Sequence, residues 1–103
     1  TLRLLIRAVG PTLADFGVTG TLVDPTMTLF RGSTALALND NWSAESNAAE
    51  IAATAQAVGA FALPSGSRDA AILTTLPPGA YTVVVSGVGA TSGTALVELY
   101  VVP

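Results

Sequence analysis

Cysteine, histidine and lysine are all absent from this chain of 103 residues. Without Cys there is no disulfide and no thiolate, so neither a stapled framework nor a sulfur nucleophile is expected. Without His or Lys, no Ser or Thr has the usual base to activate it. Charge is scarce as well. Only 11% of the residues are charged, against a typical ~25%. The cations are Arg3, Arg7, Arg31 and Arg68, and the formal net charge is −3. No basic patch or row of stacking aromatics is present, so nucleic acid is not an expected partner. No run of ~18 apolar residues occurs, so no membrane span is expected, and no charged n-region marks a leader.

The remaining acids give little to catalysis. Asp40, Glu45, Glu50 and Asp69 are the candidates for a paired-carboxylate mechanism. Glu45 and Glu50 fall at a helix entrance, where the dipole favours acids in any case. Asp69 follows Arg68 at a strand start, which suits a cap or a local ion pair. No catalytic residue is expected, and the chain reads as non-enzymatic.

What the sequence does have is apolar surface. Hydrophobic residues make up 50%, and the mean hydropathy is +0.62. Much of this is Ala, which tolerates exposure. Even so, a domain standing alone normally carries ~25–35% charged residues on its outside. A sizeable apolar area is therefore expected to meet protein instead of water. The length allows one domain over residues 1–103, burying roughly 60–70% of its unfolded surface. Thr1 is not an initiator methionine, which fits a free subunit released from a leader or one repeat of a larger secreted protein.

Leu2–Val9 alternates with period two, Leu2, Leu4, Ile6 and Ala8 on one face and Arg3, Leu5, Arg7 and Val9 on the other, and predicts a strand. Gly10-Pro11 breaks it. Thr12–Phe16 suggests one helical turn, with Thr12 and Asp15 at capping-box spacing. Thr26–Arg31 and Thr34–Leu38 predict two strands joined at Gly32–Ser33. They lead into the polar stretch Asn39-Asp40-Asn41 and then Trp42. A helix is predicted over 47–58, within the span Ser43–Val58. Asn47 would cap it, Glu50 would complete a capping box, and Gly59 would end it. Its buried stripe would be Ala48, Ile51, Ala52, Ala55 and Val58. Phe61 and Leu63 are expected to tuck inward. Asp69–Leu76, Ala80–Val88 and Thr94–Val102 then predict a three-strand meander, with Ala95, Val97, Leu99 and Val101 inward and Glu98 outward. Short strands between Gly/Pro turns predict an all-β antiparallel sandwich with one short Ala-rich helix.

Two stretches, DPTMTLFRG…LALNDNW and LPPGAYTVVVSGVGATSGTALVELYV, resemble the bacterial pre-peptidase C-terminal-like domains. The RAVGPTL opening looks like that of repeat modules in large secreted bacterial proteins. The resemblance covers Asp24–Val102 apart from the helical insert Ser43–Val58. It implies a jelly-roll-like β-sandwich, secreted, serving as an accessory or binding module. Some members bind Ca²⁺ through acidic loop residues, and the matching positions here are Asn39, Asp40 and Asn41. One carboxylate and two amides make a thin calcium set. Turn chemistry accounts for the same three residues.

The leading expectation is a structural module at the bacterial cell surface, assembling with copies of itself into a filament or array. The apolar strand Leu2–Val9 would add to a neighbour's sheet edge, with Leu2, Leu4, Leu5, Ile6 and Val9 as contact candidates. The alternative expectation is an accessory module of a large secreted protein, stabilised by calcium, that binds carbohydrate or a protein surface. That would call for exposed aromatics such as Trp42 and Tyr100.

Overall fold

A computed structural model describes residues 1–103. Six strands divide between two antiparallel sheets: β1 (Leu2–Val9), β2 (Pro25–Arg31), β3 (Thr34–Asn39), β4 (Ala70–Leu76), β5 (Thr82–Gly87) and β6 (Leu96–Val102). The first sheet has the order β4-β1-β6 and the second β3-β2-β5. One helix, α1 (Ala48–Ala57), covers the outer side of the first sheet. The all-β sandwich is as its sequence pattern predicts, a two-layer solution for strands that each have an apolar face.

Alternation within β1 serves two cores at once. Ile6 and Ala8 face the second sheet and pack with Met27, Leu29, Ala70, Ile72 and Leu76. Leu5 faces the other way and packs with Trp42, Ile51, Ala55 and Ala71 beneath α1. A strand that is buried on both sides belongs in the middle of a sheet. β1 pairs with β4 along one edge, Leu5 opposite Leu73, and with β6 along the other, Leu5 opposite Tyr100. The proposed role of β1 as a free strand is thereby corrected. Its backbone groups are taken up within the chain. Leu5, Ile6 and Val9 are fully buried, Leu4 is partly buried, and only Leu2 is exposed.

The β2–β3 hairpin forms as expected. Gly32 in its turn has φ +60°, a left-handed conformation that glycine adopts without steric cost. The expected C-terminal meander does not form. β4 lies in the first sheet, β5 in the second and β6 back in the first, so the chain crosses the sandwich at each connection.

Helix α1 ends as predicted. Gly59 has φ +80°, its N–H donates to Gln56 O, and the Ala60 N–H donates to Ala55 O, the paired bonds of a Schellman stop. Asn47 is the N-cap residue and Glu50 lies in the first turn, as predicted, but Asn47 makes no side-chain capping bond, and Trp42–Ala44 is a separate 3-10 turn. Within the stripe, Ala52 is exposed while Thr54 is buried. Pro11–Phe16 is likewise a 3-10 turn.

Candidate functional site

Asn39, Asp40 and Asn41 do not act as one group. Asn39 lies at the end of β3, with only 2% of its surface exposed. Its Oδ1 accepts the Ala71 N–H at 2.9 Å, and its Nδ2 donates to Glu45 Oε1 at 2.8 Å and to Asn41 O at 3.3 Å. This side chain clips β3 to β4 across the two sheets, and its one side-chain oxygen is engaged by the Ala71 N–H.

Asp24, at the entrance to β2, stands beside Asp40 instead. The Asp40 carboxyl is pushed above the ordinary 3.8, first by burial, then by hydrogen bonding to Asp24 and by its negative charge, with Arg68 opposing. Asp24 Oδ1, Asp40 Oδ1 and Asn41 Oδ1 are each buried without a partner. Buried oxygens of this kind are costly unless a proton or a cation satisfies them. Only the Asp24 and Asp40 carboxylates are shown to adjoin, no group of three or more His, Cys, Asp or Glu side chains is gathered to hold a metal ion, and Ca²⁺ takes six to eight oxygens.

Asp69 is fully buried, and both its carboxylate oxygens are hydrogen-bonded within the chain. Its Oδ1 accepts the N–H groups of Gly10 (2.8 Å) and Thr12 (3.2 Å). Its Oδ2 accepts the hydroxyls of Thr12 and Ser67. This carboxylate fastens the Gly10-Pro11 break and the first 3-10 turn to the start of β4. It is the cap foreseen from sequence, and its hydrogen bonds go to these groups instead of to Arg68. With both oxygens engaged, it has no lone pair placed to act as a general base.

Trp42 sits in the core beneath α1, 6% exposed, and its Nε1 donates to Ser67 Oγ at 3.0 Å. Beside it lies a cleft of about 380 Å³ between α1 and the 60–63 segment, with Ile51, Ala55 and Leu63 in its wall. Arg7 lies at the cleft's base with no exposed surface. Its Nε donates to Glu98 Oε1 at 2.8 Å and its Nη1 to Phe61 O at 2.7 Å. Its guanidinium lies 4.5 Å from the centre of the Phe61 ring. Glu98 therefore lies on the outer face of the first sheet, as expected, but on the part of that face covered by α1 and the 60–63 segment, where it is largely buried. The sequence carried a partial signal for this pair: Glu98 is the lone charge of β6, and Arg7 is one of two charges in the otherwise apolar β1.

Six of the eleven exposed large apolar residues gather in two places. In β6, Val97, Leu99 and Val101 stand opposite Ala8, Ile6 and Leu4 and so share the face that looks toward the second sheet. β4 lies over β2 and β3, and β1 lies over β2. β6 extends beyond that cover, leaving these three residues 52%, 57% and 55% exposed. The second place is the outer face of the other sheet. There Leu38, Thr28 and Val84 form a cross-strand row, with Leu36 also exposed. None of these residues is charged, and none was among the contact candidates drawn from β1. Compared with family models, with curated proteins and with solved structures, the chain matches none.

Proposed function

We propose that this chain is a non-catalytic structural module that assembles with copies of itself into an extracellular bacterial filament or surface array. The observation that carries the reading is the uncovered inner face of β6. Val97, Leu99 and Val101 have the orientation of core residues and the exposure of surface residues. The outer face around Leu38 and Val84 is a second uncharged surface on the other sheet. Two joints per copy are the minimum for a polymer, and large exposed apolar patches mark interaction sites. The extracellular bacterial setting rests on the resemblance carried by DPTMTLFRG and LPPGAYTVVVSG.

A carbohydrate platform finds less support, because Trp42 is buried and hydrogen-bonded within the chain. Calcium stabilisation is favoured by the three unpartnered oxygens of Asp24, Asp40 and Asn41 and is compatible with assembly.

Light scattering and electron microscopy over a concentration series test the proposal. Particle mass rising with concentration, with elongated particles in the images, is the expected result. A 10.3 kDa monomer at every concentration overturns it.

A further inference from the structure

The uncovered strand also specifies what covers it. We infer that β6 pairs antiparallel with β6 of a second copy about a two-fold axis through Leu99, joining the two β4-β1-β6 sheets into one of six strands. This rests on the self-assembly reading and deepens it by naming the joint.

Among the four edge strands, β6 is the one best prepared for this. The outer edge of β4 is engaged at its start, where the Ala71 N–H goes to Asn39 Oδ1 and the carbonyl of the preceding Asp69 goes to the Trp42 N–H. The β2–β3 pairing carries a register shift at Leu29/Phe30. β5 alternates Thr82, Val84 and Ser86 on its outer face. β6 (LVELYVV) has no Lys and no Pro, and its one charge, Glu98, is paired with Arg7 within the chain.

Its sequence is self-complementary in one register. With Leu99 on the axis, the whole strand Leu96–Val102 is matched. Leu99 meets Leu99 of the second copy, and Val97 meets its Val101. On the helix side, Leu96 meets Val102, and Glu98 meets Tyr100. The single charge of the strand thus faces a hydroxyl of the same kind it already accepts, since Tyr100 Oη donates to Glu98 Oε2 at 2.7 Å within the chain. The buried Arg7 neutralises that carboxylate from below. A shift that centres the pair on Glu98 sets two carboxylates opposite one another, which opposes pairing. Centring it on Tyr100 sets Glu98 against Val102.

Cysteine cross-linking reads the register directly, because the chain has no cysteine of its own. Directly opposed residues have Cα atoms about 4.5–5.5 Å apart, within disulfide range. Residues four positions out of register are about 14 Å apart and outside it. Under mild copper–phenanthroline oxidation, Leu99→Cys chains are expected to link to each other roughly tenfold faster than Val97→Cys chains do. Val97→Cys and Val101→Cys chains are expected to link when mixed and not alone. Leu99 is 57% exposed, so Leu99→Lys is expected to fold, by circular dichroism, and to lose association.

Failure of Leu99→Cys to link where the unmodified chain associates overturns the joint. So does equal linking of Val97→Cys alone, or preferential linking of Leu99→Cys to Val84→Cys, which indicates head-to-tail packing. Filaments without the Leu99 link sink this joint and leave the proposed function standing. The Leu99 link with dimers alone keeps the joint and sinks the polymer.

Discussion

The Asp24–Asp40 pair shows how one charge too many can be built into a chain with few charges. The folded chain holds the Asp40 proton more tightly than the unfolded chain does. Its contribution to stability is therefore fully present below the ordinary 3.8 and is lost as pH rises from there through the raised value. At neutral pH the pair is a net cost unless a cation sits between the carboxylates. In chelator at pH 7, Asp40→Asn is expected to raise the thermal midpoint, and the gain over the unmodified chain should shrink toward pH 3. Added calcium should raise the midpoint of the unmodified chain and leave that of Asp40→Asn nearly unmoved. Stabilisation of about 2.7 kcal/mol accompanies a ligand at a hundred times its dissociation constant. A midpoint indifferent to calcium and chelator removes the cation. A midpoint lowered by Asp40→Asn in chelator overturns the account of the pair. The sequence made the polar stretch after β3 visible, but it could not distribute the roles. Asn39 and Asn41 look alike in sequence, yet one clips two sheets together and the other leaves its oxygen unpartnered. That difference is set by Ala71, 32 residues beyond Asn39.

At the scale of elements, local chemistry was legible and long-range pairing was not. The β2–β3 hairpin announces itself through alternation on either side of Gly32, and the end of α1 through Gly59. The strands from β4 onward were legible as strands, but their sheet membership was not. Short apolar strands alternate in the same way whichever sheet they join, and β4, β5 and β6 find their partners far away in the chain. β1 is ambiguous in sequence for a related reason. An alternating strand with apolar residues on both faces looks adhesive, and it looks the same when it is central and covered twice. The distinction between a covered and an uncovered apolar strand is open to measurement. Ile51→Ala opens space under α1, where the helix meets Leu5 and Trp42, and is expected to cost about 2–5 kcal/mol in urea unfolding. Leu99→Ala in β6, measured at concentrations where the chain is monomeric, is expected to change stability by about 0.5 kcal/mol or less. Comparable losses at the two positions would mean that β6 is covered within a single copy.

For the whole molecule, the decisive property is how the two apolar surfaces sit against a net charge of −3. Two forces act between copies, and salt separates them. Repulsion between like-charged copies is screened, with a Debye length near 10 Å at 0.1 M salt. Apolar contact strengthens in sulfate, which is excluded from protein surfaces. Both effects push the same way, so the concentration at which copies associate should fall as ammonium sulfate is added. It should not rise between about 0.05 and 0.5 M sodium chloride, where screening grows. An assembly held by ion pairs behaves oppositely, and few charges are available to build one. Arg7 is consumed internally by Glu98, and Arg3 pairs with Glu50 on the surface of the same chain. Sedimentation of the unmodified chain across the two salt series makes the comparison, with chelator present throughout so that calcium does not enter. Association weakened by sodium chloride would place the contact on charged groups and away from β6. Association strengthened by sulfate and abolished by Leu99→Lys would place it on the strand where core-oriented side chains meet no core.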